Sequence, residues 1–294
     1  MKSGTVAIIG RPNVGTSTLL NTILKEKIAI VSDNPQTTRT RILGVAHLAG
    51  AQVVFLDTPG LHRPQHLLNK HMVRTALDTM WEADLLYVMV EANAPPGPGD
   101  RAVLEQVREA ICRKGRPVFL LINKVDLVNK VRVLPLIESY CKMMDWTEVV
   151  PLSAKFGLNV DRLLELTVKI LPEGQALYDE DVLTDQSMRT LAAEIIREKI
   201  LQKTREEVPY SVAVDIDRFV EEGKLARIAA SVVVDKESQK AIVIGTHGER
   251  LKAAGTYARI EMEQLFGMKV FLQLWVKVRS GWREDEQFLT ELGY

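Results

Sequence analysis

Eight residues near the start of the chain, Gly10-Arg11-Pro12-Asn13-Val14-Gly15-Thr16-Ser17, have the spacing of a phosphate-cradling turn, GxxxxGK[ST], with one exception. The two glycines let backbone N–H groups turn inward around phosphate oxygens. The helix expected to follow adds the positive end of its dipole. Ser17 stands where a hydroxyl can bind Mg²⁺. The lysine position, however, holds Thr16. A threonine hydroxyl carries no charge and does not reach β- and γ-phosphates as a lysine does. A charge-assisted hydrogen bond contributes about 1.5–3 kcal/mol. Losing one or two should weaken triphosphate binding by about 10- to 10³-fold.

Three further elements follow in the order a guanine-nucleotide site requires. Asp57-Thr58-Pro59-Gly60 comes after an apolar run. An acid at a strand end can hold Mg²⁺, and the Gly60 N–H can meet a γ-phosphate. Asn123-Lys124-Val125-Asp126 also follows an apolar run. The Asp126 carboxylate can accept two hydrogen bonds from the guanine edge, a donor pair that adenine lacks, and Lys124 can lie along the base plane. Ser153-Ala154-Lys155 offers backbone to cap the guanine oxygen. Between the phosphate loop and Asp57 lies the polar segment Gln36-Thr37-Thr38-Arg39-Thr40. A threonine there, Thr38, can complete Mg²⁺ coordination when a γ-phosphate is present, which makes the segment a switch that orders with GTP. Leu61 occupies the place where some GTPases carry a water-orienting glutamine, so turnover should be slow or use another group. Asn13 is placed either to hold a monovalent cation beside the phosphates or simply to shape the loop.

A second constellation lies near the other end. Gly245-Thr246-His247-Gly248 precedes a helical pattern, as in the GxxG loop that clamps the backbone of single-stranded RNA in KH domains. Residues 236–259 hold five basic residues (Lys236, Lys240, Arg250, Lys252, Arg259) against two acidic ones, although the chain from Asp181 onward carries 17 basic and 19 acidic residues. Positive charge is therefore concentrated around the turn, as phosphate tracking requires. Trp275 and Trp282 are both available to stack bases, with Trp275 the better candidate for core because it alternates in a strand.

The elements that must position these residues are legible as two patterns. Through about residue 170, short apolar runs alternate with helical patterns: Val6-Ile9, Val53-Leu56, Leu85-Val90, Val118-Ile122 and Glu148-Leu152. Near-continuous apolar strands alternating with helices indicate a doubly wound α/β sheet covered on both faces. Residues 173–184 read as a linker. From 185 to 294 the order becomes helix (186–203), strands (210–219 and 226–234), a short apolar run (241–244), helix (249–265) and strand (269–278), an α+β unit. The 294 residues, 46% hydrophobic and 26% charged with zero net charge, suit two soluble domains. Cys112 and Cys141 form no CxxC pair. The apolar run at the N-terminus is too short for a signal-peptide core, and no run approaches a membrane span.

These residues resemble the Era family of bacterial GTPases. The carrying segments are Gly10 to Gly15, Pro35-Gln36-Thr37-Thr38-Arg39, Asp57 to His62, Asn123 to Asp126, Val208 to Ala213, Glu237 to Lys240 and Leu274 to Val278. The resemblance implies an α/β Ras-like P-loop GTPase domain (1–172) followed by an α+β type II KH domain (185–294). It implies GTP and GDP binding through residues 10–17, Thr18, Asp57, Thr58, Pro59, Gly60, Leu61, Asn123, Lys124, Val125, Asp126, Ser153, Ala154 and Lys155. Mg²⁺ would be held by Ser17, Thr38 and Asp57, with Thr38 and Gly60 serving slow hydrolysis. RNA contacts would fall to Lys240, Gly245, Thr246, His247, Gly248, Arg250, Lys252 and Arg259. The implied partners are the 3′ region of small-subunit ribosomal RNA and the small ribosomal subunit. The implied setting is a cytoplasmic monomer partly associated with the inner face of the membrane. Two departures stand out: Thr16 replaces the family lysine, and Thr246 beside His247 replaces a basic residue in the GxxG turn. Thr16 leaves a competing expectation, an RNA-binding assembly factor whose nucleotide site is inert.

Overall fold

The apolar runs become strands because each buries both faces. In the computed structural model, residues Val6 to Ile9 and Leu85 to Met89 are at most 1% exposed. The structure describes the chain except residues 33, 35 and 205–207 and the side chains of 110–114 and 209. Pro35 and the Cys112 side chain therefore lie outside the described residues.

The chain divides into two units. The first comprises Met1–Ala29, Thr38–Pro64 and Asn69–Asp185. Its sheet has the order β2-β3-β1-β4-β5-β6, with β1 (Lys2–Gly10), β2 (Ile42–Leu48), β3 (Ala51–Asp57), β4 (Leu85–Glu91), β5 (Val118–Asn123) and β6 (Glu148–Pro151). Strands β3, β1, β4, β5 and β6 run parallel, and β2 is antiparallel to β3. Alternate residues feed two cores: Val6 and Ile8 face one, Ala7 and Ile9 the other. Helices α1 (Thr16–Leu24), α2 (Leu67–Glu82), α3 (Pro98–Lys114) and α4 (Val133–Cys141) connect the strands, and α5 (Val160–Ile170) follows the last of them. Parallel strands place all their carboxyl ends on one edge, where ligands of such sheets bind. The loops after β1, β3, β5 and β6 are the four elements singled out above.

Strand β2 has no counterpart among the expected elements. Gly44 and His47 interrupt its apolar pattern, and pairing with β3 overrides that weak propensity. The linker stretch is also not free chain. Gln52 Oε1 accepts the N–H groups of Leu177 and Tyr178, Val45 N–H donates to Leu183 O at 2.8 Å, and Tyr178 and Val182 pack on Leu43, Val45, Val54 and Leu56. Residues 173–185 thus belong to the first unit.

The second unit comprises Ile30–Thr37, Gln65–Leu68 and Gln186–Tyr294. Its elements run α6 (Met188–Lys203), β7 (Ala213–Glu222), β8 (Leu225–Val234), α7 (Glu237–Ile244), α8 (Glu249–Phe266) and β9 (Lys269–Val278), ending in α9 (Glu286–Glu291). The sheet order is β7-β8-β9, with β8 and β9 parallel. The α-β-β-α-α-β succession corrects the expected order at one place. The apolar run Ala241 to Ile244 is the end of helix α7, started by Gln239 Oε1 accepting the Lys236 and Asp235 N–H groups. Four apolar residues cannot by periodicity distinguish strand from helix. Helix α6 buries three consecutive charged residues: Lys199 bridges Glu198 (2.7 Å) and Glu261 (2.5 Å), Glu198 Oε1 accepts Val31 N–H (2.8 Å), and Arg197 donates to Thr37 O.

The two tryptophans exchange their expected places. Trp282 is fully buried, its Nε1–H donating to Ser211 O at 3.0 Å, whereas Trp275 is 47% exposed. Strand alternation placed Trp275 correctly on one face, but that face of β9 is uncovered. Trp282 is not a stacking residue.

Candidate nucleotide site and RNA groove

The phosphate loop leaves β1 at Gly10 and enters α1 through Gly15, which sits at φ 103. A Cβ at Gly15 would lie 2.5 Å from Asn123 Nδ2, so both conformation and space demand glycine. Asn123 ties three loops together. Its Nδ2 donates to Val14 O (2.7 Å) and its Oδ1 accepts the Ala154 N–H (2.9 Å). It builds the site, and its Nδ2 also lies 3.8 Å from Met89 Sδ. Gly60 presses against the same loop, because a Cβ there would lie 2.6 Å from the Pro12 nitrogen. The adjoining Leu61 N–H donates to Gly10 O at 2.9 Å.

Residues from three distant segments converge beside this loop. Ser17 Oγ donates to Asp57 Oδ2 at 2.5 Å and lies 2.8 Å from Thr38 Oγ1. Asp57 is completely buried. Desolvation pushes its carboxyl up to about 6, while the Ser17 and Thr16 hydroxyls and the Thr58 N–H pull the other way. Its Oδ1 is buried without a close hydrogen-bond partner. An orphaned buried carboxylate oxygen beside two hydroxyls suits a hard, oxygen-seeking cation such as Mg²⁺. Thr16 turns its hydroxyl to this carboxylate.

On the base side, Lys124 adopts φ 65 and donates from Nζ to Asn13 O at 2.8 Å. Asp126 is exposed, free of the core and open to a base edge. Ser153 and Ala154 are buried: the Ser153 N–H donates to Leu158 O at 3.2 Å, and Ala154 O accepts the Thr22 hydroxyl at 2.7 Å. Lys155 is exposed, its Nζ 5.5 Å from the Phe156 ring centroid.

Several sequence-predicted residues take structural duties instead. The Thr58 hydroxyl donates to Ile8 O at 2.9 Å. Val14 and Leu61 are buried in the two cores, and Val125 packs against one of them. The Arg11 guanidinium is directed to Asp100 at 2.6 Å and to Glu91 at 3.7 Å. These positions keep only their backbone for a ligand. Glu91 and Asp100 escaped sequence reasoning because single acids after a strand and inside a Pro-Gly turn carry no spacing signal.

In the second unit, α7 stops at Gly245 (φ 74, ψ 179), and Gly248 (φ 79) starts α8. His247 between them takes φ 50, a left-handed conformation that histidine tolerates better than most residues. A groove of about 340 Å³ runs along α8 and β9, lined by Gly248, Leu251, Lys252, Gly255, Thr256, Arg259, Leu272 and Leu274. Of the expected RNA contacts, the lining includes Gly248, Lys252 and Arg259. Gly245, Thr246, His247, Lys240 and Arg250 lie outside it, and Arg250 reaches back to Ile242 O. The apolar floor of Leu251, Leu272 and Leu274 was missed, although the alternation in β9 placed both leucines on one face.

The fold and the two sites define a Ras-like nucleotide-binding domain followed by a type II KH domain. Comparison with known proteins agrees. Residues 5–124 match the family described as 50S ribosome-binding GTPase, and residues 207–283 match the KH domain. GTPase Era of Geobacter metallireducens is 51% identical over all of this chain and 98% of its own length, and GTPase Era of Syntrophus aciditrophicus is 48% identical over all and 95%. A crystal structure of Era in complex with MgGDPNP and nucleotides 1506–1542 of 16S ribosomal RNA superposes with TM-score 0.96 at 43% identity, covering 100% of this chain and 99% of that one. A single-residue variant of Aquifex aeolicus Era bound to GDP·AlF4⁻ gives 0.95 at 42%, with the same coverage. The chain belongs to the Era family of GTPases.

Proposed function

We propose that this protein binds GTP with Mg²⁺, hydrolyses it slowly, and binds the 3′ region of small-subunit ribosomal RNA through its KH groove to assist small-subunit assembly. The observation that carries the nucleotide reading is the convergence of Ser17, Thr38 and Asp57 beside the glycine loop, from segments up to 40 residues apart. Ser17, Thr38 and Asp57 would hold Mg²⁺, which neutralises charge on the β- and γ-phosphates when bound. The Asp57 carboxyl, near 6, is mostly ionised at neutral pH and so suited to that task. Loop N–H groups and the α1 N-terminus cradle the phosphates. Asp126 selects guanine, Lys124 supports the base, and the Ala154 region caps the guanine oxygen. The Gly60 N–H meets the γ-phosphate, and Thr38 closes over it. Leu61, in the core, leaves water without a side chain to orient it, which makes hydrolysis slow.

The competing reading of an inert nucleotide site finds no support in the comparisons. Thr16 removes a phosphate-binding charge and leaves the base-reading residues in place, so affinity falls while specificity stays. A fluorescent GTP analogue titrated with Mg²⁺ tests this. Micromolar binding is expected, and binding that appears only after Thr16→Lys, or in neither form, would overturn the reading. For RNA, a labelled oligonucleotide of the small-subunit 3′ end should bind in a filter assay and lose affinity with Gly248→Asp. Gly248 serves better than Gly245, where a Cβ would meet Arg250 Cβ at 2.7 Å. Unchanged binding would sink the KH reading. Among the described residues no helix is long and apolar enough to cross a membrane. Cytoplasmic residence with peripheral attachment to the inner membrane face accords with the family resemblance, and cell fractionation tests it.

A further inference from the structure

Glu91 ends β4 with a carboxylate that none of the elements described so far requires. Its side chain is 18% exposed. Oε1 receives the Lys124 ammonium, and Oε2 lies 3.7 Å from Arg11 Nη2. Lys124 uses the same ammonium to reach Asn13 O at 2.8 Å. Because Arg11 and Asn13 belong to one loop, these contacts close a ring through the phosphate loop, the end of β4 and the guanine-reading loop. Arg11 extends the ring outward. Its Nε donates to Asp100 Oδ1 at 2.6 Å, and Asp100 Oδ2 accepts the Gly97 N–H at 2.9 Å ahead of α3. Two cations and two carboxylates balance, and Asp100, only 4% exposed by side chain, is held from both sides.

We propose that Glu91 is a positioning residue for guanine-nucleotide binding. It fixes the Lys124 ammonium against the phosphate loop, so that the lysine stem lies flat where the base must stack and Asp126, two residues on, meets the base edge. The proposal rests on the nucleotide reading above. The φ of 65 at Lys124 is a conformation that a residue with a Cβ adopts only when its surroundings over-determine it. Without Glu91 the lysine keeps a single neutral acceptor on a flexible four-carbon stem. The ring also explains where the loop's own cation goes. Arg11 is spent on Glu91 and Asp100, so it does not substitute for the lysine missing at Thr16, and base-side contacts carry a larger share of nucleotide affinity than in a loop with lysine.

The full-length protein tests this with fluorescent GDP and GTP analogues and with steady-state hydrolysis. Glu91→Gln should weaken both analogues equally, by about tenfold, through faster dissociation. KM for GTP should rise correspondingly while kcat stays within about twofold, because uniform binding is lost and not transition-state binding. Glu91→Asp keeps the charge and should recover part of the affinity, and it serves as the second variant if the glutamine form folds poorly. Combining Glu91→Gln with Lys124→Gln should weaken binding no further than Lys124→Gln alone. An unchanged KM in Glu91→Gln, additive losses in the double variant, or a parallel drop in kcat and melting temperature with no recovery in Glu91→Asp would overturn the proposal. If the unsubstituted protein binds neither analogue, the nucleotide reading falls instead and takes the proposal with it.

Discussion

The two glycine turns, residues 10–17 and 245–248, solve one problem in different surroundings. Each passes through a left-handed glycine into a helix, Gly15 before α1 and Gly248 before α8. The first holds Thr16 where the phosphate-loop pattern places lysine, and the second holds Thr246 beside His247. The first is walled in: Asn123 bonds Val14, Lys124 bonds Asn13, Leu61 bonds Gly10, and Gly60 abuts Pro12. The second is open, and a Cβ at Gly248 would meet nothing within 4 Å. A small, highly charged ligand is gripped by convergence, so one missing charge falls on one phosphate contact. A polymer is gripped along a groove, where Lys252 and Arg259 remain to share the load.

The largest break in this comparison should come from Thr16→Lys. Affinity for a GTP analogue should rise about 10- to 10³-fold, measured by fluorescence titration, with RNA affinity unchanged. Next is Asp57→Asn, read by thermal unfolding without nucleotide or metal. The Asp57 carboxyl sits at about 6 in the folded protein against an ordinary 3.8. The folded protein therefore retains a proton that the unfolded chain loses, and stability falls as pH rises between about 4 and 6. The asparagine form lacks that loss and should be more stable than the original at pH 8 by up to about 3 kcal/mol, with little difference near pH 4. Gly248→Asp should weaken single-stranded RNA binding about tenfold, since an aspartate tolerates the left-handed backbone but repels phosphate. Nucleotide titration should not change. Lys252→Ala should have the smallest effect, reducing the salt dependence of RNA binding by about one phosphate contact.

The nucleotide site was the more legible of the two because its residues are read by order. Four short elements at strand ends are meaningful as a series even though each alone is weak. What spacing could not reveal was which atoms face the ligand. Thr58, Val14 and Leu61 belong to the motif yet give their side chains to the fold, and Glu91 and Asp100 serve the site without belonging to any motif. The C-terminal unit was harder. Its GxxG turn was visible, but helix α7 showed only as a short apolar run because four apolar residues fit either period. Trp275 and Trp282 were misassigned because alternation fixes the face of a strand and says nothing of whether that face is covered. Strand β2 escaped because Gly44 and His47 dilute a pattern that only pairing completes.

Leu61 follows Gly60 directly, and its backbone touches the phosphate loop while its side chain is sealed in the interior. A residue committed to cohesion cannot address water, so the chain owns no accelerator at the position best placed for one. A glutamine at this position would have to leave the apolar interior to reach a water, so cohesion and rapid turnover compete for one side chain.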